Sequence, residues 1–340
     1  MRCVHVAGIG QVETTDRPRP APGPGQALIA LTYAGICGSD THAAAGEHPL
    51  LPAPYFPGHE ATGRVAELGP GVTGWQIGQR VILKPNVNCQ DCVNCRAGRT
   101  NACQALAWIG CDSSGRWPGA MAEFFIAPAG NLFAVPEAVD DKTAALVECL
   151  STPVHAVRLA GGIGGQGVVV IGGGTIGLFT VIAARRAGAA RIVVTDFDAE
   201  KLARAARHGA DGAVNAADAD ATAQARAALG GPADIVFDCV ANRGSTGQAF
   251  DLLRHAGKVM VVGVAPGAFE VPMQYVQDWE MTIQGCANYT AEDIDAAIAI
   301  ASVGGVPTGE VVSRVFKLDD AKAAFAEAAE FTSGKVLVQP

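Results

Sequence analysis

The fold of this chain is decided by the stretch Val168-Val-Val-Ile-Gly-Gly-Gly-Thr-Ile-Gly177 and by the residues that follow it to Asp196. Four apolar residues, Val168 to Ile171, predict a buried strand, and the run from Leu178 to Ala187 predicts a helix. A second apolar run at 191–195 predicts another strand. A strand, a glycine-rich turn, a helix and a strand in this order are typical of a βαβ unit in a parallel sheet.

The turn between the first strand and the helix carries the pattern G-x-G-x-x-G at Gly172, Gly174 and Gly177. Gly172 permits a tight turn, Gly174 has no side chain to block a pyrophosphate, and Gly177 lets the helix pack on the strand. The helix N-terminus offers free N–H groups to phosphates. Asp196 follows where an acid can bind both hydroxyls of an adenosine ribose and would repel a 2′-phosphate. The pattern therefore predicts NAD rather than NADP.

Length and composition limit the class of protein. A chain of 340 residues with 49% apolar and 17% charged residues is expected to form about two compact domains. The net charge of −8 argues against a nucleic-acid partner. The uncharged stretch 159–184 is too rich in glycine for a membrane span, and the N-terminus lacks a secretory signal. We expect a cytoplasmic protein without a membrane partner.

Cys89, Cys92, Cys95 and Cys103 have the spacing C-x2-C-x2-C-x7-C, which is the most specific pattern in the chain. Four thiolates this close in sequence can surround one tetrahedral zinc ion in a closed, structural site. An iron–sulfur cluster is an alternative, because it also accepts four cysteines. Disulfides are a weaker alternative in a reducing cytosol.

The N-terminal 90 residues alternate short apolar runs with Gly and Pro turns, which predicts a β-rich barrel or sandwich. Within it, Cys37 and His59 are ligand types that zinc accepts. A helix is predicted at 141–150, and its Glu148 lies in an otherwise apolar segment. A buried carboxylate is costly unless it is paired or metal-bound, so Glu148 is either a cap or a metal ligand.

Strands and helices alternate from 151 to 285, which predicts a doubly wound parallel sheet. Helices are predicted at 291–302 and 319–330, and the closing segment 334–340 reads as a strand that returns to the first domain. The predicted organisation is one domain of residues 1–150 and 286–340, and a dinucleotide-binding domain of residues 151–285.

The whole chain resembles the zinc-dependent medium-chain alcohol dehydrogenases, and most of all their polyol and sorbitol dehydrogenase branch. The resemblance lies in six ordered features: Cys-Gly-Ser-Asp-x-His at 37–42, Gly-His-Glu at 58–60, the four-cysteine lobe, Glu148, the dinucleotide motif, and Gly-Lys-Val-Leu at 334–337. It implies an α/β fold with a doubly wound parallel Rossmann domain and a β-rich GroES-like catalytic domain carrying a structural zinc lobe. It also implies one catalytic zinc, one structural zinc and NAD per chain.

The same resemblance implies roles for individual residues. Cys37, His59 and Glu148 would bind the catalytic zinc, with Glu60 beside the metal as an alternating or water-mediated ligand. Asp40 would accept a hydrogen bond from His59. Ser39 would accept the proton of the substrate hydroxyl, and His42 would relay it to solvent. The implied cofactor contacts are Thr152 and Ile176 with the nicotinamide, Lys201 with the ribose, and Lys335 with the pyrophosphate.

The predicted function is oxidation of a secondary hydroxyl of a polyol, sugar alcohol or related small alcohol to a ketone, in a homo-oligomer. A threonine or amino-alcohol dehydrogenase is the alternative enzyme, and a non-catalytic dinucleotide-binding protein is the alternative from another class. Two departures from many relatives bear on the substrate. Lys84-Pro85 stands where pocket residues are expected, and Trp117 could line the active site or pack on the lobe.

Overall fold

A computed structural model describes residues 1–265, 267–330 and 334–340, which form two compact units. The first unit comprises Met1–Cys149 and Thr290–Pro340, and the second comprises Leu150–Tyr289. The elements up to the end of the first segment are β1 (Arg2–Gly8), β2 (Gln11–Asp16), β3 (Gln26–Gly35), α1 (Gly38–Ala44), β4 (Glu60–Leu68), β5 (Arg80–Leu83), β6 (Asn86–Val87), α2 (Val93–Arg96), β7 (Ala107–Trp108), β8 (Phe124–Pro128), β9 (Leu132–Ala134), α3 (Asp141–Ala145) and α4 (Val147–Ala160).

The predicted helix at 141–150 is two helices in the structure. Asp140 caps α3 by accepting hydrogen bonds from the backbone N–H groups of Lys142 (2.9 Å) and Thr143 (3.0 Å). The first helix ends at Ala145, and α4 then continues beyond 150 to Ala160 with Pro153 inside it. The predicted end at 150 was wrong, because the helical segment continues to Ala160 and accommodates Pro153.

The second unit alternates strands and helices as predicted. Its elements after α4 are β10 (Gly167–Ile171), α5 (Thr175–Arg186), β11 (Arg191–Asp196), α6 (Ala199–Arg207), β12 (Gly212–Asn215), α7 (Ala221–Leu229), β13 (Ala233–Asp238), α8 (Arg243–Leu252), β14 (Leu253–Val261), α9 (Met273–Asp278) and β15 (Thr282–Gly285). The strands form one parallel sheet in the order β12-β11-β10-β13-β14-β15. The direction of this order reverses beside β10, which is where a doubly wound sheet offers its ligand crevice.

The chain then returns to the first unit with α10 (Ala291–Ser302), α11 (Thr308–Val311), β16 (Val312–Lys317), α12 (Ala321–Ala329) and β17 (Lys335–Gln339). The main sheet of this unit has seven strands, ordered β16-β17-β3-β4-β5-β9 with β8 also paired to β3. The closing segment is thus a strand of the first unit, as predicted. Strand β17 lies parallel to β16 and antiparallel to β3, which places residues distant in sequence on neighbouring strands.

Candidate active site

Three predicted site residues meet where β3 ends and β4 begins. Gly35 of β3 pairs with Glu60 of β4, so Cys37 and His59 lie beside each other just beyond this register. One ligand atom each from Cys37, His59 and Glu60 lies within 4.8 Å of the other two. His59 and Glu60 are 4% and 1% exposed, whereas Cys37 is partly exposed, so the group is buried on the side of His59 and Glu60. A thiol, an imidazole and a carboxylate in such a cluster are the donor types that zinc binds.

His59 is oriented from behind by a buried acid and by a thiol that the sequence analysis did not single out. Its Nδ1 lies 3.7 Å from Asp40 Oδ1 and 3.5 Å from the Cys111 sulfur. The other Asp40 oxygen accepts the backbone N–H of Cys37 at 3.0 Å, which caps the N-terminus of α1 and fixes the acid there. Burial lowers the pKa of His59, but Cys111 and the Asp40 carboxylate together raise it well above its usual value.

Glu60 has a buried cationic partner that arrives from the end of the chain. Lys335 on β17 donates from Nζ to Glu60 Oε1 at 2.7 Å and also contacts the Ile36 carbonyl oxygen at 3.3 Å. Glu60 Oε2 is buried and has no hydrogen-bond partner among the described residues. One carboxylate oxygen is therefore neutralised, while the other keeps its capacity to accept, as a metal ligand must. Lys335 was expected at a pyrophosphate, but in this unit it pairs with Glu60.

Glu148 is not a member of the three-residue group, although it lies in the same unit. It is in the first turn of α4 and 5% exposed. Its carboxylate is near enough to Cys149 to raise the pKa of that thiol, after burial as the main cause. Its role as a zinc ligand stays a prediction. Ser39 and His42 are both half-buried on α1, with His42 Nδ1 3.9 Å from a Glu47 oxygen.

The four cysteines of the lobe converge on one point. Their sulfurs all lie within 4.8 Å of one another, with Cys89 4.0 Å from Cys95 and 3.5 Å from Cys103. Zn–S bonds of about 2.3 Å in a tetrahedron put sulfurs about 3.8 Å apart, so the spacing fits a single ion. An iron–sulfur cluster would need a wider separation between some of the sulfurs, because its four cysteines are shared among two or four irons. Backbone N–H groups point at these sulfurs, including that of Cys92 at 3.3 Å from Cys89.

In the second unit, the glycine motif forms the turn between β10 and α5. Gly172 has φ +93°, a conformation that favours glycine, and a Cβ on Gly177 would overlap the carbonyl oxygen of Gly172. A Cβ on Gly174 would meet no atom within 4 Å. Gly174 also precedes the first residue of α5 and supplies no side-chain cap, so the first N–H groups of the helix stay available.

Asp196 ends β11 beside this turn. Its Oδ2 accepts the Gly173 N–H at 2.6 Å, and its Oδ1 accepts the Asp198 N–H at 2.9 Å. Lys201 is on α6, with its Cβ 3.2 Å from where a Gly173 side chain would begin. The structure thus brings the acid and the lysine to the glycine turn. Ile176 is in the first turn of α5, whereas Thr152 is on α4, elsewhere in this unit.

Two family profiles match the chain. The alcohol dehydrogenase GroES-like domain matches residues 23–137, and the zinc-binding dehydrogenase profile matches residues 175–302. D-xylulose reductase A of Aspergillus niger is 30% identical over 330 residues, which cover 94% of this chain and 91% of that protein. The chain belongs to the zinc-binding dehydrogenases.

The dehydrogenase is also similar to proteins with other names. L-threonine 3-dehydrogenase of Deinococcus deserti is 31% identical over 341 residues, covering 98% of this chain and 96% of that protein. A Sinorhizobium meliloti protein described as a zinc-binding dehydrogenase, with NADP bound in its crystal structure, is 30% identical with a TM-score of 0.92; the match covers 100% of this chain and 99% of that one. The predicted family, its GroES-like and Rossmann-type fold and its enzymatic nature are confirmed. In the described part of the dehydrogenase, none of the helices has the length and apolar character to cross a bilayer.

The sequence analysis missed three residues of the dehydrogenase near this site: Asn86, Trp108 and Cys111. All three flank or follow the cysteine lobe, and no contiguous pattern marks them. Trp117, by contrast, packs against the core of the first unit and lines a cavity of about 290 Å³ with Arg17 and Phe56. Lys84 is 5% exposed, and burial lowers its pKa to about 8, with Cys95 opposing this shift.

Proposed function

We propose that this zinc-binding dehydrogenase oxidises a secondary hydroxyl of a polyol, sugar alcohol or related small alcohol to a ketone, with NAD as the hydride acceptor. The observation that carries the proposal is the cluster of Cys37, His59 and Glu60, whose thiol, imidazole and carboxylate are the donor types of a catalytic zinc site. The similarity to D-xylulose reductase A supports a polyhydroxylated substrate. The first unit would carry out catalysis, and the second would bind NAD.

The protein's residues would divide the work as follows. Cys37 and His59 would hold the catalytic zinc with Glu148 as a third ligand, and Glu60 would stand beside it. When bound, zinc would act as a Lewis acid on the substrate hydroxyl, and NAD would accept the hydride. Ser39 would take up the hydroxyl proton.

His42 would pass that proton to solvent. The residue is three positions after Ser39 on α1, so the two side chains lie on adjacent parts of one helix face. Asp40 would hold the His59 ring in one orientation and one tautomer. The four cysteines of the lobe would bind the second, structural zinc and would take no part in the reaction.

Preference for NAD rests on Asp196. Its two oxygens already accept backbone N–H groups, which fixes the carboxylate at the end of β11. A carboxylate in a fixed position can accept both ribose hydroxyls and repels a 2′-phosphate. Ile176, Lys201 and Thr152 would complete the cofactor site. One relative has NADP bound in its crystal structure. The ratio of kcat/KM with NAD to kcat/KM with NADP is therefore the measurement that tests this part of the proposal.

The proposal is tested with purified, zinc-loaded protein, NAD and a panel of polyols that includes xylitol and sorbitol. Formation of reduced nicotinamide is followed by absorbance, and metal content is measured on the same sample. We expect turnover of at least one polyol. L-threonine is included as the second candidate, because of the relative that bears this activity in its name. Turnover of L-threonine without turnover of any polyol would refute the proposed substrate class.

We also propose a homo-oligomer. Strand β15 is an edge of the parallel sheet, and Ile283 on it is 40% exposed. Unpaired edge strands favour pairing with another chain. Light scattering coupled to size-exclusion chromatography would give the mass, and a monomer at micromolar concentration would contradict this proposal.

A further inference from the structure

The first unit contains two buried polar side chains that the proposed reaction leaves unused. Asn86 is fully buried, and neither its Oδ1 nor its Nδ2 has a hydrogen-bond partner within the described chain. The indole Nε1 of Trp108 is likewise buried and without a partner there. Buried polar groups of folded proteins are nearly always paired, because leaving them unpaired is costly. Two such groups side by side therefore require an explanation.

The backbone around Asn86 is held firmly, so its side chain is not unpaired because of a loose segment. The Asn86 carbonyl oxygen accepts Lys84 Nζ at 3.0 Å and Asn131 Nδ2 at 2.8 Å. Next to it, the Pro85 carbonyl oxygen accepts the N–H of Ile109 at 3.0 Å. Three hydrogen bonds thus fix the backbone at Pro85 and Asn86, while the Asn86 side-chain amide makes none with the described residues. This is the arrangement expected of a group that is positioned for a ligand.

Both side chains are on the face of their ribbon that is turned to the metal-binding group. Asn86 of β6 and Trp108 of β7 are directly opposite each other in an antiparallel pair. Directly opposite residues have their side chains on the same face. The Trp108 ring meets the His59 ring edge-on, with centroids 6.1 Å apart and an interplanar angle of 84°. The unpaired amide therefore lies on the side of the ribbon that faces His59.

We propose that Asn86 and Trp108 bind a hydroxyl group of the substrate other than the one that is oxidised. The assignment rests on the proposed function and deepens it. The Trp108 N–H and the Asn86 amide N–H can donate, and Asn86 Oδ1 can accept. A hydroxyl satisfies this set, because it accepts hydrogen bonds and donates one. A carboxylate has no proton to donate to Asn86 Oδ1. An ammonium group cannot accept a hydrogen bond, so it would leave the N–H groups of Trp108 and Asn86 unpaired. The pair of side chains therefore selects a substrate with a second hydroxyl over an amino acid.

The test compares three variants with the wild type: Asn86→Leu, Trp108→Phe and the matched control Trp75→Phe. Trp75 is also partly buried in the first unit, but its Nε1 donates to the Ala129 carbonyl oxygen at 3.2 Å. Each protein is assayed with the polyol that turns over fastest in the panel, and with butan-2-ol, which has no second hydroxyl. Melting temperatures are measured on the zinc-loaded proteins without substrate.

We expect kcat/KM for the polyol to fall about tenfold or more in Asn86→Leu and Trp108→Phe, because a buried hydrogen bond to the substrate is lost. The value for butan-2-ol should change by less than about twofold, since that alcohol never makes the bond. Without substrate, these two variants should melt no lower than the wild type, whereas Trp75→Phe should melt lower and keep its selectivity.

Equal losses on the polyol and on butan-2-ol would overturn the proposal, because they would show a structural role. So would a marked loss of melting temperature in both Asn86→Leu and Trp108→Phe, which would mean that these groups are already paired inside the folded protein. If the wild type turns over no polyol, the proposed function itself fails, and this assignment fails with it.

Discussion

Two glycines of the turn in the second unit, Gly177 and Gly174, allow the effect of a methyl group on packing to be compared with its effect on cofactor binding. We expect Gly177→Ala to destabilise the second unit. Its Cβ would overlap the Gly172 carbonyl oxygen, far inside the 3.0 Å that real Cβ contacts respect. That carbonyl cannot move freely, because the Gly172 N–H donates to the Thr195 oxygen at 2.8 Å and the residue has φ +93°.

The size of the effect follows from this overlap. Forcing an extra carbon into a close-packed position costs about 1–3 kcal/mol. For a unit of this size, that corresponds to a fall in melting temperature of about 2–12 °C. The helix can relieve the overlap only by moving away from β10, and its N-terminus would then leave the position at which we propose that it binds the pyrophosphate. Gly177→Ala is therefore expected to lower both stability and affinity for NAD.

Gly174→Ala is the matched variant. The backbone here has φ −61° and ψ −171°, which alanine adopts easily, and its Cβ would meet no protein atom within 4 Å. The gain from a less flexible unfolded chain and the loss from a poorer N-cap residue offset to within about 1 kcal/mol. We therefore expect an unchanged melting temperature but weaker NAD binding, because the methyl group would occupy the space that we assign to the pyrophosphate.

Circular dichroism melts of the cofactor-free proteins give the stability, and titration calorimetry gives the affinity for NAD. The reasoning is refuted if Gly174→Ala binds NAD as tightly as the wild type, or if Gly177→Ala melts at the same temperature. Equal destabilisation of both variants would show that glycine is needed for the conformation of the whole turn and not for the space beside Gly174.

Three further substitutions test the metal sites and the cofactor site. Cys37→Ala should abolish turnover and leave a folded protein that keeps its lobe zinc; unchanged activity would remove Cys37 from the site. Cys103→Ser should release the lobe zinc and lower the melting temperature, since that zinc would hold a segment with little core of its own; an unchanged melt would contradict a structural metal. Asp196→Gly should narrow the preference for NAD over NADP, measured as the ratio of kcat/KM values; an unaltered ratio would show that another group reads the ribose.

Features encoded in contiguous sequence were predictable. The cysteine spacing led to four sulfurs that converge, and the glycine pattern led to a strand, a turn and a helix at the expected residues. Both patterns are local, so the backbone alone brings their members together. The parallel sheet followed from the alternation of strands and helices. The start of α5 was placed at Leu178 but is at Thr175, because the glycine motif itself extends into the first helical turn.

Contacts made by distant segments were not predictable. Lys335 reaches Glu60 because β17 pairs with β3, and β3 with β4, across most of the length of the chain. Cys111 reaches His59 through a loop beyond the cysteine lobe. A single lysine or cysteine carries no periodic signal, so a single sequence offers no warning of either contact. The same holds for Asn86 and Trp108, whose importance lies in the partners that they lack within the described chain.

The balance of buried charge explains why this site suits a divalent cation. In the first unit, Asp40 and Glu60 are buried close to His59, and the buried Lys335 pairs with Glu60. Taking charges out of water is expensive, so a buried carboxylate needs a cation, a proton or a metal ion. Burial does raise the pKa of Asp40, which is the protonation route. A zinc ion held by Cys37 and His59, as we propose, would supply positive charge without requiring a neutral acid, and Glu60 Oε2 still has no partner among the described residues. Lys335 would then hold Glu60 beside the proposed metal ion, because it already occupies one of the two carboxylate oxygens.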